Sequence, residues 1–237
     1  MLRMKVGAPV AASLVGASIA LWTAAIGAAT PERAAAPQLA VGDRWEYRIT
    51  DNLRRGAVSK LDVEVVSVTA GRARLRFERV YASGRGEWFD EVDRDGNLVS
   101  GTLFREPPRP FAPPAQLLAF PLQKGKTWRQ TIDTLRKDTS GKDQILIYGR
   151  VGSPAAVTVP AGRFEALYVY RTIQLDDSEF WRSRTSITDA IWYTPSAKAP
   201  VRIKREAKYN QKDLSNPEVR TESTVLELVA FRPGRGP

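Results

Sequence analysis

The chain has 237 residues and a formal net charge of +10 at pH 7, and it contains no histidine and no cysteine. These absences exclude Ser-His and Cys-His nucleophile pairs, a histidine general base, disulfide bonds, and zinc sites with nitrogen or sulfur ligands. No phosphate-binding glycine loop, dinucleotide fingerprint or other catalytic motif is present, so we expect no cofactor and no enzymatic activity.

The first 29 residues have the pattern of a helical signal peptide. Arg3 and Lys5 precede an uncharged run over 6–29 that closes on small residues before Thr30. A signal peptidase recognises this order of features, so we expect cleavage, a periplasmic or secreted protein, and no stable membrane span afterwards. The alternative is an uncleaved anchor, because the run is long enough to span a bilayer. Without a cysteine to acylate, the leader does not indicate a lipoprotein.

After the leader, we expect a disordered spacer over 30–40 and a single all-β domain over 41–233. Apolar and polar residues alternate with a period of two, which is typical of strands, and turns rich in Gly, Pro and Asp separate the runs. The predicted strands are 45–50, 61–68, 72–78, 86–92, 98–104, 127–135, 144–151, 155–159, 164–175, 180–193, 201–204 and 226–230. This pattern predicts an antiparallel barrel, half-barrel or sandwich of roughly ten to twelve strands, with 164–175 in a central position.

Two features divide the domain into halves. The run 106–114 contains five prolines, which donate no ladder hydrogen bonds and so cannot form a central strand. We expect an extended, polyproline-like loop there. On either side of it, Gly42 precedes Trp45 and Gly125 precedes Trp128 with the same spacing. This weak echo indicates that each half begins with a glycine turn followed by a large buried aromatic side chain.

Two acidic clusters are candidate sites. In 90–96 the spacing resembles a calcium loop, but Thr102 falls where a bidentate glutamate is required, so the pattern favours a turn between strands and no metal. Neighbouring carboxylates at Asp176, Asp177 and Glu179 could act as an acid–base pair. They lie at a predicted hairpin tip, where solvent screens their interaction, so a catalytic role is not favoured.

Basic residues form the first candidate binding site. Arg72, Arg74 and Arg76 share one face of a predicted strand and are candidates for binding phosphates or anionic sugars. The alternative is a solvated outer face that discourages edge pairing. A basic exported protein is attracted to anionic lipid headgroups or acidic polysaccharide. Nucleic acid is not expected, because no aromatic residues are interleaved on that face.

Aromatic residues form the second candidate site. Most of them are expected in the core, but a barrel mouth or concave sheet lined by several would bind a lipophilic molecule or a sugar. The candidates are Trp45, Trp128, Trp181, Trp192, Tyr168 and Tyr170.

Several short motifs resemble those of a family of exported bacterial domains of unknown function. They are Val-Thr-Val-Pro-Ala-Gly-Arg-Phe-Glu-Ala at 157–166, Phe-Pro-Leu-Gln-Lys-Gly-Lys-Thr-Trp at 120–128, and Trp-Tyr-Thr-Pro at 192–195 followed by Pro-Val-Arg-Ile-Lys at 200–204. The segments 41–47 and 226–229 fit the same pattern. The resemblance implies an antiparallel barrel or half-barrel, distantly like the periplasmic lipoprotein carriers, and it implies no catalytic residues.

These observations favour a non-enzymatic exported β domain that binds a lipophilic or anionic component of the cell envelope, or a protein partner. One alternative is a hydrolase of envelope glycans that works through carboxylates. The other is a structural or assembly factor of the envelope.

Overall fold

The computed structural model describes residues 32–105, 107–135, 142–178, 182–212 and 218–234. Within these ranges the chain forms fourteen strands and one 3₁₀ turn, Pro195–Ala197. The strands are β1 (Arg33–Ala34), β2 (Arg44–Asp51), β3 (Ala57–Thr69), β4 (Arg72–Tyr81), β5 (Gly84–Asp93), β6 (Leu98–Gly101), β7 (Arg109–Ala115), β8 (Leu122–Gln123), β9 (Thr127–Leu135), β10 (Lys142–Val159), β11 (Gly162–Ser178), β12 (Arg182–Thr194), β13 (Ala199–Gln211) and β14 (Glu218–Arg232). In the part of the chain so described, no helix has the length and hydropathy needed to traverse a bilayer.

Twelve strands form one antiparallel sheet in the order β7-β6-β5-β4-β3-β2-β14-β13-β12-β11-β10-β9. The two end strands, β7 and β9, come back into contact, so the sheet is a nearly closed barrel. Strands β1 and β8 form a separate two-stranded ladder. The prediction of an all-β antiparallel fold is confirmed, and β11 is paired on both sides as expected. The predicted leader helix lies outside the described residues.

Side chains, not a backbone ladder, join the two end strands of the barrel. The side chain of Gln130 in β9 accepts a hydrogen bond from the backbone amide of Gln116 at 2.8 Å. It also donates one to the Pro114 carbonyl at 2.9 Å. The Trp128 indole donates to the Gln116 carbonyl at 3.0 Å. The Trp128 ring lies directly over Gly149 of β10, where any Cβ atom would overlap the ring. Glycine is therefore required at 149 for this seam to close.

Apart from where individual strands begin and end, the structure differs from the predicted elements in three places. The runs 144–151 and 155–159 are one strand, β10, whose pairing shifts register between Val151 and Pro154. The proline-rich run is largely a strand, β7, but it lies at the edge of the sheet, where missing amide donors are tolerated. The described part of the predicted disordered spacer is ordered instead, because Ala34 is buried beside Leu122 and Leu39 packs on the core.

The sequence echo corresponds to a repeated structure. Gly42 and Gly125 both have φ of +85°, a conformation that favours glycine. The Gly42 amide donates to the Val65 carbonyl at 2.8 Å, and the Gly125 amide donates to the Val151 carbonyl at 2.9 Å. Each turn leads into a strand with a buried tryptophan. The antiparallel runs β2–β5 and β9–β12 are thus two matching four-stranded units.

The two units fill the barrel unequally. The inner faces of β9–β12 carry branched aliphatic side chains that are fully buried: Ile132, Ile145, Ile147, Ile173, Leu175 and Ile187. The inner faces of β2–β5 carry fewer residues of this kind and more aromatic and polar ones. Because this side is less tightly filled, an internal space remains between it and strands β13 and β14.

A candidate ligand cavity inside the barrel

The internal space is a cavity of about 1130 Å³ that opens to solvent and is lined mainly by β2–β5, β13 and β14. Its walls are chiefly apolar and include Leu61, Val63 and Leu226. Phe77 and Trp88, from neighbouring strands, stack with ring centroids 5.1 Å apart and an interplanar angle of 12°. The volume is at or above the upper end of the range of roughly 300–1,000 Å³ typical of small-molecule sites. The barrel can therefore enclose a large lipophilic group.

Two aromatic side chains at the inner end of the cavity are fixed by hydrogen bonds to the backbone. The Trp45 indole donates to the Ala197 carbonyl at 2.7 Å, and the Tyr47 hydroxyl donates to the Pro200 carbonyl at 3.0 Å. Burial raises the pKa of Tyr47 far above its ordinary value. Because both polar hydrogens are used, these rings present apolar surface to the cavity.

The opposite end, where the β2–β3 and β4–β5 hairpins turn, is basic. Arg105 pairs with Glu222 at 2.8 Å, and Arg54 lies 3.7 Å from Asp51. Arg79 differs from both, because among the described residues no carboxylate lies within ion-pair distance of it. Its Nε donates to the Ser59 hydroxyl at 3.1 Å, and its guanidinium lies 4.6 Å from the centroid of the Tyr81 ring. Arg79 is thus a positioned cation facing the cavity, with donors still available to an anion.

A buried charged cluster lies deeper in the barrel. Asp189 is fully buried and accepts hydrogen bonds from both Arg171 and Arg205, the shortest being 2.6 and 2.7 Å. Arg171 also donates to the Leu117 carbonyl at 2.9 Å. Burial alone would raise the pKa of Asp189, but the guanidiniums of Arg205 and Arg171 outweigh it and hold the pKa at about 2. The cluster carries one net positive charge, and Arg205 forms part of the cavity wall.

The predicted aromatic residues do not gather at one site. Trp45 lines the cavity, whereas Trp128 closes the barrel seam. Tyr168, Tyr170 and Trp192 alternate with buried residues and therefore face outwards. Trp181 lies outside the described residues.

The outward-facing aromatics form a patch on β10–β12, which we call the outer aromatic patch: Tyr148, Tyr168, Tyr170 and Trp192. Tyr168 and Trp192 meet edge to face, with centroids 5.3 Å apart. Gly152 permits this arrangement, because a Cβ atom there would lie 2.8 Å from the Tyr168 ring. Tyr148 and Tyr170 are each 40% exposed.

The predicted arginine stripe lies on the outer face of β4, away from the cavity. Arg76 pairs with Glu64 at 2.6 Å and lies 4.0 Å from Glu87, and the Arg74 guanidinium lies 4.4 Å from the centroid of the Phe89 ring. Two of the three arginines, Arg74 and Arg76, therefore already interact with neighbouring side chains. Arg79 is on the opposite face of the same strand, and its position two residues after the inward Phe77 was a signal that could have identified it.

The acidic clusters occupy turns and strand ends. The Asp93 carboxylate accepts hydrogen bonds from the amides of Asp95 and Asn97, both at 2.9 Å, and so closes the turn after β5. Asp176 lies exposed near the end of β11, while the Asp177 side chain and Glu179 lie outside the described residues. Within the described ranges, no three His, Cys, Asp or Glu side chains are grouped so that they could hold a metal ion.

Comparisons with known proteins do not identify a family. No family model matches the chain, and no curated protein sequence matches it. Among solved structures, the chain is similar to a protein described as a lipoprotein from Parabacteroides distasonis, with 13% identity, 83% of this chain and 97% of that chain covered, and a TM-score of 0.47. It is also similar to an exported protein of YmcC-like fold from Bacteroides fragilis, with 14% identity, 84% and 99% covered, and a TM-score of 0.48. The third similar structure is the hypothetical lipoprotein YmcC from Escherichia coli. The identity is 6%, 81% of this chain and 85% of that chain are covered, and the TM-score is 0.39.

Proposed function

We propose that the chain is an exported, non-enzymatic binding protein whose barrel holds an amphiphilic component of the cell envelope. The apolar part of the ligand lies in the cavity between β2–β5 and β13–β14, and its acidic group lies at the basic end, beside Arg79. The observation that carries this proposal is one cavity that combines apolar walls with a cation that has no described carboxylate partner.

The energetics support an acyl chain as the buried part. Burial of each methylene group contributes about 0.8 kcal/mol, and the stacked pair Phe77 and Trp88 together with Leu61 offers a continuous apolar wall. A charge-assisted hydrogen bond from Arg79 adds orientation, since it is formed only when the acidic group is at the basic end of the cavity.

Export is supported by the leader. The basic start, the uncharged run and the small residues at 27–29 are the features on which signal peptidase acts. Mass spectrometry of the intact protein from the producing cell's envelope fraction tests this part, and we expect a mature chain that begins near Thr30.

The cavity favours binding over glycan hydrolysis. Its two described carboxylates, Asp51 and Glu222, each have an arginine partner, at 3.7 and 2.8 Å. A hydrolase of the predicted kind needs two carboxylates that face each other across the substrate, one of them able to donate a proton.

The proposal is tested by extracting protein purified without detergent into organic solvent and identifying the released molecules by mass spectrometry. We expect an acidic lipid in near-stoichiometric amount. If no lipid is released, and the stripped protein also fails to bind cis-parinaric acid, a fluorescent fatty acid, the proposed ligand class is wrong.

A further inference from the structure

We propose that the outer aromatic patch and the cations around it form a docking face for the surface of an anionic phospholipid bilayer. This face is separate from the cavity, since it is formed by outward side chains of β10–β13. The proposal therefore stands whether or not the cavity holds a lipid.

The cations lie in register with the patch. Across neighbouring strands, Arg150 is opposite Tyr170, Tyr170 is opposite Ala190, and Ala190 is opposite Lys204. At about 4.8 Å between strands, this row spans roughly 14 Å. One strand further out, Arg129 is opposite Tyr148. The aromatic rings are thus bordered by basic side chains on both sides.

The charge of the face is not neutralised within the described structure. Arg129, Arg150 and Lys204 are exposed, and no ion pair joins any of them to a described carboxylate. Arg202 is the exception, because it pairs with Glu227 at 2.7 Å. Along β13, Glu206 is the acidic side chain nearest to Lys204. The net charge of the face is positive and therefore complements an anionic surface.

The chemistry of the face fits a membrane interface. Tyrosine and tryptophan concentrate at the level of lipid headgroups, where the ring is buried and its polar edge is hydrated. Lysine and arginine near an anionic bilayer each strengthen binding about fivefold. A sugar-binding site would instead need an open ring face in a concave groove. Here Arg202 and Lys204 cover the Trp192 ring at 5.9 and 5.8 Å, and the strands form the outside of a barrel.

Sedimentation with vesicles of phosphatidylcholine, with or without phosphatidylglycerol, tests the proposal. We expect Arg150→Gln/Lys204→Gln to weaken binding to the anionic vesicles about 25-fold at low salt, from about fivefold for each cation. The control is Arg72→Gln/Arg74→Gln, which removes the same charge from β4, four positions from β13 and seven from β10 in the strand order. Equal weakening by both double variants means that only net charge matters and overturns the proposal.

A second measurement is independent of any contribution from the N-terminal leader. Brominated lipids quench tryptophans that lie at the bilayer interface, so we expect Trp192→Phe to remove a measurable share of the quenching by intact vesicles. If Trp192→Phe has no effect, the face does not touch the bilayer. If a soluble acidic polysaccharide binds through the patch and vesicles do not, the partner is a glycan and the proposal is wrong.

Discussion

The substitution Asp189→Asn separates the charge of the buried carboxylate from its shape. Asp189 accepts hydrogen bonds from Arg171 at 3.1 and 2.6 Å and from Arg205 at 2.7 and 3.0 Å. Asparagine has nearly the same volume but turns an NH₂ group towards one of these donors, and the buried Arg171 keeps its charge. Removal of one partner from a buried ion pair costs about 3–5 kcal/mol. For a chain of this size, this corresponds to a fall in Tm of about 6–20 °C.

The pH dependence gives a second signature of the same carboxylate. The pKa of Asp189 is held at about 2, below its ordinary value of 3.8. Because the folded pKa is the lower one, this group's contribution to stability is complete above about pH 4 and is lost as the pH falls towards 2. The shift corresponds to about 2 kcal/mol. The difference in unfolding free energy between wild type and Asp189→Asn should therefore narrow by this amount between pH 4 and pH 2.

Urea denaturation measures both effects, with Glu64→Gln as a matched carboxylate-to-amide control. Glu64 pairs with Arg76 at 2.6 Å, but their side chains are 32% and 40% exposed. Exposed pairs contribute about 0–1 kcal/mol, so this control should change little. The reasoning is refuted if Asp189→Asn costs no more than Glu64→Gln, or if its deficit is the same at pH 2 as at pH 7.

Two further substitutions test the seam of the barrel and the segment that Asp43 holds. Gly149→Ala should cost about 1–3 kcal/mol in urea denaturation, because its Cβ overlaps the Trp128 ring; the cost should shrink in a Trp128→Leu background, and an equal cost in both backgrounds contradicts this explanation. Asp43→Ala removes both oxygens of a buried carboxylate that accepts hydrogen bonds from the backbone amides of Ala40 and Gly234, each at 2.8 Å. Hydrogen exchange of the Gly234 amide should become about 10- to 100-fold faster, and an unchanged rate contradicts the role of Asp43 in holding that segment.

The strands could be predicted from the sequence because each depends on a local pattern. In β4, for example, Ala73, Leu75 and Phe77 alternate with arginines, and the pleat places them on opposite faces. The closure of the barrel could not be predicted in this way. It depends on hydrogen bonds that Gln130 forms with Gln116 and Pro114, fourteen and sixteen positions earlier in the chain. Neither Gln130 nor Gln116 carries a sequence signal for such pairing.

The candidate site was predicted only in part. Aromatic content indicated a lipophilic surface, but the sequence does not say which aromatic faces inwards once bulges shift the register. Trp45 lines the cavity, while Trp192 and Tyr168 lie on the outside. Arg79 was not among the predicted site residues, although its odd number places it on the inner face with Phe77. Arg79 lies three residues after Arg76. Because successive side chains of a strand point to opposite faces, this odd spacing places the two arginines on opposite faces of β4.

The central claim is that the cavity binds an amphiphile whose acidic group is held by Arg79, and it is tested most directly by comparing cis-parinaric acid with its uncharged methyl ester. A charge-assisted hydrogen bond at the basic end of the cavity should make the acid bind about tenfold more tightly than the ester. We expect Arg79→Gln to abolish this preference while leaving the affinity for the ester within a factor of about two. Arg72→Gln, on the outer face of the same strand, should leave the preference intact. Equal affinities of the wild-type protein for acid and ester, or a preference that survives in Arg79→Gln, would contradict the account.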